Sequence, residues 1–195
     1  MSDKLPRVIA ICGCKRVGKD TVAEHLRKQF GYKVVKFAEP LKDMLKGLFG
    51  FTQEQIEVTK DIVDPMWGVA PRTVMQFFGT EIMQFEIQRL LPNIHRDFFV
   101  KSLLARHKDD ERIVISDMRF IHEWQAIKRT HANSLIIKIT RNDSPVDDHV
   151  SEMELEHIDP DFVIENNGTL ETLFAELDRT LAYMHSTHKR MLTKV

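Results

Sequence analysis

A chain of 195 residues with 28 Lys and Arg against 29 Asp and Glu, and a formal net charge of -1, has the size of one domain or of a core carrying an inserted lobe. It can bury roughly 70% of its unfolded surface without a disulfide or a metal. The balanced charge excludes the broad basic field that holds nucleic-acid backbones, so no nucleic-acid polymer is expected as a partner. Met1 to Arg7 lacks an apolar signal-peptide core, and no run approaches the ~18 apolar residues of a membrane span. Cys12 and Cys14 are too close for an easy bridge and lack the further ligands of a zinc site. They read as free thiols, and the chain as cytoplasmic and not membrane-bound.

Arg7 to Cys12 is a short continuous apolar run that suits a strand buried on both faces of a parallel sheet. A glycine loop follows it. From Thr21 onward Val22, Ala23, Leu26 and Phe30 share a helical face, and Gly31 supplies the stop. Lys33 to Phe37 is a second strand candidate, and Pro40 opens a helix whose stripe is Leu41, Met44, Leu45, Leu48 and Phe49, ending at Gly50. Phe51 to Val69 carries turn signals around Trp67 and reads as the start of an inserted lobe. Thr73 to Leu91 has helical apolar content interrupted by Gly79 and ended by Pro92. Arg112 to Ser116, Leu135 to Thr140 and Phe162 to Glu165 are further strands, and Leu170 to Met184 is an amphipathic helix. About five strands alternating with helices imply an α/β fold with a parallel sheet.

Gly13-Cys14-Lys15-Arg16-Val17-Gly18-Lys19-Asp20-Thr21 has the pattern G-x-x-x-x-G-K between a strand and a helix. That context turns backbone N–H groups and the helix N-terminus toward phosphate oxygens, with Lys19 reaching the β- and γ-phosphates of ATP. Gly13, Lys15, Arg16, Val17, Gly18, Lys19, Asp20 and Thr21 are therefore the candidate ATP site. Asp20 stands where Ser or Thr usually binds magnesium, and a carboxylate can do so directly or through water if cations offset its charge. Thr21 is either a second metal ligand or a helix cap. Asp117 ends an apolar strand, as a second carboxylate for Mg²⁺ or its waters would. Arg119 and Glu123 follow, either as an i, i+4 ion pair or as a phosphate contact with its orienting group.

At these residues the chain resembles the deoxynucleoside monophosphate kinases of large bacteriophages and related viruses. The matching stretches are the GKD loop, Phe37 to Lys42, Arg72 to Glu81, Ser116-Asp117-Met118-Arg119-Phe120, His149 to Glu152 and Glu165-Asn166-Asn167-Gly168. The resemblance implies a P-loop, adenylate-kinase-like fold over residues 1–195. Within it, residues of about 38–105 would form a helical acceptor-binding lobe and about 141–158 a lid-like segment. It implies ATP and a small phosphorylated acceptor as partners and Mg²⁺ as cofactor. Lys19, Arg119 and Arg141 would be catalytic, Asp20 and Asp117 the metal site. Phe37, Lys42, Trp67, Arg72, Gln76, Thr80, Glu123, Asp148 and Glu152 would serve the acceptor, with Lys42 and Arg72 on its phosphate and Phe37 or Gln76 near its base. Phe37 and Trp67 read equally well as core or core-covering residues, and Arg141 as an exposed loop arginine. Animal-type phosphomevalonate kinases share the GKD, S-D-x-R and E-N-x-G stretches, and an ATP-binding switch without catalysis is a third reading. A homodimer, the preferred base, and a viral or cellular source stay open.

Overall fold

The computed structural model describes residues 5–142 and 154–192, the side chains of 185–192 excepted. Its elements run β1 (Val8–Cys12), α1 (Lys19–Phe30), β2 (Lys33–Val35), α2 (Glu39–Phe49), α3 (Gln53–Glu57) and α4 (Pro71–Gln76). A π-helical segment (Phe77–Phe85) and a 3-10 turn (Glu86–Arg89) follow. Then come α5 (Phe98–Arg106), β3 (Ile113–Ile115), α6 (Ile121–Thr130), β4 (Ser134–Thr140), a 3-10 turn (Leu155–His157), β5 (Phe162–Glu165) and α7 (Leu170–Leu192). The chain divides into two compact units, residues 1–36 with 107–195, and residues 37–106.

In the first unit the five strands form a parallel sheet in the order β2-β3-β1-β4-β5. β1 lies at its centre, with Ile9 paired to Val114 on one side and Leu135 on the other. Every residue of β1 is buried, which is why the segment reads as an unbroken apolar run rather than an alternation. Ile9 and Ile11 pack with Val22, Ala23 and Leu26 of α1 and Leu173, Leu177 and Leu181 of α7. Burying each such Val, Leu or Ile contributes about 1.5–3 kcal/mol. α1 ends at Gly31, whose left-handed backbone (φ 72°) lets its N–H reach the Leu26 carbonyl.

The second unit is built on a small apolar cluster of Leu41, Leu45, Phe51, Ile56 and Val74, with Met44, Phe49, Met75, Phe78 and Phe99 against it. α3, inside the stretch that reads as the start of an inserted lobe, is closed by a reciprocal cap. Thr52 Oγ1 accepts the Gln55 N–H at 3.1 Å and Gln55 Oε1 accepts the Thr52 N–H at 2.8 Å. The helix expected over Thr73 to Leu91 is instead a short α-helix that widens into the π-helical segment. Gly79 sits inside that segment, where a Cβ would lie 3.0 Å from Leu41 Cδ2. The absent side chain is what allows the approach to α2.

Among the described residues of the first unit one acidic side chain is enclosed. Glu123, in the first turn of α6, is 4% exposed. Its Oε2 accepts the backbone N–H groups of Arg119 at 2.8 Å and Phe120 at 3.0 Å. Burial pushes its carboxyl up to about 8, the two N–H bonds pull it down, Asp117 pushes it up and the Arg119 charge lowers it again. The folded state therefore holds this proton more tightly than the unfolded chain. The stability that linkage supplies is full below the ordinary carboxylate value and is lost as pH rises toward 8. Glu123→Gln keeps an acceptor for both N–H groups and removes the buried charge. Thermal denaturation should show its Tm gaining on the wild type between pH 5 and 9, by about 3 °C or more; a difference that stays constant with pH would contradict the assignment.

Candidate active site

The loop between β1 and α1 has the backbone that only its glycines permit. Gly13 has φ 139°, and a Cβ there would stand 2.2 Å from the Ile139 carbonyl oxygen on β4. Gly18 has φ 103° and serves as the N-cap of α1; its Cβ would meet Asn166 Nδ2 at 2.6 Å. Arg16 also adopts positive φ, at 63°. Val17 is buried in the core beneath the loop, so what it can offer a ligand is its backbone. Lys15 is half-buried and Arg16 exposed. Lys19 Nζ donates to the Gly13 carbonyl at 2.7 Å and the Cys14 carbonyl at 2.6 Å, spanning the loop it follows. With Gly18 as N-cap, Thr21 lies inside α1, so the capping role considered for it does not hold. Cys12 is buried, and burial raises its thiol to about 11, so it stays protonated and inert.

Because all five strands run in parallel, the segments leaving them emerge at one edge of the sheet, where α/β folds place their ligands. The phosphate loop leaves β1. Lys36 follows β2, Ser116 and Asp117 follow β3, Arg141 follows β4, and Asn166 follows β5. Ser116 Oγ donates to Asp20 Oδ1 at 3.2 Å and Lys36 Nζ pairs with the same oxygen at 2.9 Å. The Asp20 side chain is exposed; the desolvation that its neighbours impose raises its carboxyl, but the Lys36 ammonium, the Ser116 hydroxyl and Lys19 together hold it below the usual range. Asn166 Nδ2 donates to the Val17 carbonyl at 2.9 Å, which clamps the loop from the far side. Neither Lys36 nor Asn166 stands among the site residues expected from sequence. Asp117 and Arg119 are half-buried on either side of Met118, which is fully buried and fastens the segment. Glu123 braces the Arg119 backbone rather than facing solvent. Arg141 is exposed.

The second unit carries its own cation cluster. Lys42 Nζ pairs with Glu57 Oε1 at 2.7 Å. Arg72 meets Asp61 in a forked contact, Nη2 to Oδ2 at 3.0 Å and Nε to Oδ1. Lys60, whose carbonyl accepts the Arg72 N–H at 2.8 Å, stands close enough to both to feel them. Burial lowers its pKa first, Arg72 and Lys42 lower it further, and Glu57 and Asp61 partly compensate. Nothing in the local pattern marks Lys60, because Lys42 and Arg72 come near it only through the fold of the second unit. Phe37 is 4% exposed. Trp67 donates its Nε1–H to the Phe49 carbonyl at 2.9 Å and packs edge-on to the Phe49 ring with centroids 5.1 Å apart, while remaining 42% exposed. Gln76 is exposed at the end of α4, and Thr80 is half-buried in the π-helical segment. Asp148 and Glu152, with most of the expected lid, lie outside the described residues.

Three comparisons bear on this geometry. The deoxynucleotide monophosphate kinase family model matches in two overlapping stretches, residues 7–69 and 48–177. A protein of Acanthamoeba polyphaga mimivirus that carries the deoxynucleotide monophosphate kinase name provisionally is 34% identical over 182 residues, covering 87% of this chain and 93% of its own. The deoxynucleotide monophosphate kinase of Enterobacteria phage T4 is 27% identical over 157 residues, 72% of this chain and 61% of its own. Among solved structures, a gluconokinase from Sinorhizobium meliloti 1021 superposes with a TM-score of 0.52 over 98% of both chains at 10% identity; this likeness concerns the fold alone. The phosphate loop leaving the central strand thus has the sequence relatives its residues lead one to expect, and the chain belongs to the deoxynucleotide monophosphate kinase family.

Proposed function

We propose that the protein transfers the γ-phosphoryl group of ATP to a deoxynucleoside 5′-monophosphate. An oxygen of the acceptor phosphate attacks the γ-phosphorus and the bond to the β–γ bridging oxygen breaks, giving a deoxynucleoside diphosphate and ADP. The observation that carries this reading is the glycine-constrained loop with Lys19 at the start of α1, in a chain of this family. Membership favours a nucleotide over phosphomevalonate as acceptor, and transfer over nucleotide sensing alone.

Two anions must be brought together, so the protein's task is neutralisation and alignment rather than covalent chemistry. Lys19 would exchange the Gly13 and Cys14 carbonyls for phosphate oxygens, beside the N–H groups of residues 13–20. Arg119, its backbone fixed by Glu123, and Arg141, leaving β4, would stabilise the charge of the moving phosphoryl group. Lys42 and Arg72, joined by Lys60, would hold the acceptor phosphate. Trp67, Gln76 and Thr80 would contact its base or sugar, and Phe37 would back that surface from the core.

The donor set fits Mg²⁺. Asp20 and the neighbouring Ser116 hydroxyl offer hard oxygens, and Asp117 can act through water. Among the described residues no group of three or more His, Cys, Asp or Glu could hold a metal, but Mg²⁺ commonly takes one or two carboxylates with phosphate oxygens and water. When bound it would neutralise charge on the β- and γ-phosphates. Among the described residues no helix is long and apolar enough to cross a membrane.

Mixing the protein with Mg-ATP and a panel of deoxynucleoside monophosphates, ribonucleoside monophosphates and phosphomevalonate should yield ADP with at least one deoxynucleotide. ADP only with phosphomevalonate, or with no acceptor dependence, would overturn the reading. Lys19→Ala should lower kcat/KM by about 10²-fold or more; near-wild-type turnover would contradict the role of Lys19. Arg72→Met and Lys60→Met should each raise KM for the monophosphate by about tenfold or more while leaving KM for ATP within about threefold. A rise in the ATP constant instead would place these cations elsewhere.

A further inference from the structure

Asp20 poses an electrostatic problem. It follows the phosphate-binding lysine directly and puts a carboxylate where triphosphate must bind, and at 4 Å two like charges repel even in water by about 1 kcal/mol. The structure assigns the answer to Lys36. Its ammonium lies 2.9 Å from Asp20 Oδ1, and three features at the ends of β2 and β3 hold the pair in register. The Ser116 N–H donates to the Val35 carbonyl at 3.3 Å, so the residue before Lys36 is tied to the end of β3. Ser116 Oγ donates to the same Asp20 oxygen at 3.2 Å. Ser116 itself is 2% exposed, so the hydroxyl is enclosed at this junction.

We propose that Lys36 is a positioning residue that acts through Asp20, neutralising and orienting its carboxylate so that the loop accepts a triphosphate. The inference rests on the ATP-binding reading of the loop and goes beyond it: Lys36 and Asp20 form a functional pair in which the lysine is needed because the aspartate is there. A Ser or Thr at the position of Asp20 carries no charge and needs no such counter-ion.

The test is a binding measurement without acceptor, so that turnover does not enter. ATP affinity is measured calorimetrically in EDTA and in Mg²⁺ for the wild type, Lys36→Met, Lys36→Arg, Asp20→Asn and the double variant Asp20→Asn with Lys36→Met, with melting curves as a control of folding. In EDTA, Lys36→Met should bind ATP at least about tenfold more weakly than the wild type, Lys36→Arg should recover most of the loss, and the double variant should bind within about threefold of Asp20→Asn. Equal affinities of Lys36→Met and wild type would overturn the proposal. So would a loss of the same size in the Asp20→Asn background, because Lys36 would then act on the nucleotide independently of Asp20. Should Lys36→Met fail to fold, Lys36→Gln takes its place in every comparison. A wild type that binds no ATP even with Mg²⁺ would instead bring down the underlying reading of the loop.

Discussion

The phosphate loop can run where it does because Gly13 carries no side chain. Any Cβ at that position would sit 2.2 Å from the Ile139 carbonyl on the neighbouring strand, well inside van der Waals contact, so the β1–β4 pairing and the path of the loop depend on the same missing atom. From there the consequences spread through the sheet. With β1 paired on both sides and buried throughout, the loop leaves the middle of the strand-end edge, and every other strand delivers a residue to that edge: Lys36, Ser116 with Asp117, Arg141 and Asn166. A parallel sheet makes this convergence a matter of topology, and the side chains supply the chemistry.

Charge is the second organising term. Lys36 pairs with the carboxylate of Asp20 within the first unit while Lys19 acts on it through its charge, and Lys42, Lys60 and Arg72 stand with Glu57 and Asp61 in the second. Both clusters pair cations with acidic neighbours, so neither is a bare positive field, consistent with a chain whose formal net charge is only -1. Small phosphorylated ligands suit such local clusters better than a long polyanion does. Glu123 shows the same logic in reverse: its carboxylate is enclosed so that two N–H groups at the start of α6 have an acceptor, and burial shifts its protonation as a result.

What the sequence made legible follows the range of the forces involved. The phosphate loop could be read because its requirements are local: two glycines at positive φ, a lysine after the second, a strand before and a helix after. The buried strands could be read from unbroken apolar runs, although β2 ends at Val35 and not Phe37. The meaning of Lys36 is tertiary; the place of β2 beside β3 in the sheet brings it to Asp20. Asn166 lies in a stretch singled out for its resemblance, yet its hold on the Val17 carbonyl depends on where β5 falls in the sheet. α3 leaves little trace in the sequence although Thr52 and Gln55 spell a capping box, because a helix of five residues carries almost no periodicity. The π-helical segment has the apolar content of an ordinary helix, and nothing local distinguishes the two. A helix beginning at Val22 would make Thr21 its cap, but α1 begins three residues earlier, at Lys19.

If this strand-end edge carries a phosphoryl group from one nucleotide to another, each transfer must leave two diphosphates. Phosphorus NMR of the protein with Mg-ATP and a deoxynucleoside monophosphate that it accepts follows every phosphorus atom at once. The ATP γ-resonance should disappear while the β-resonances of ADP and of the deoxynucleoside diphosphate grow in equal amounts. Growth of inorganic phosphate in place of the second diphosphate would contradict it.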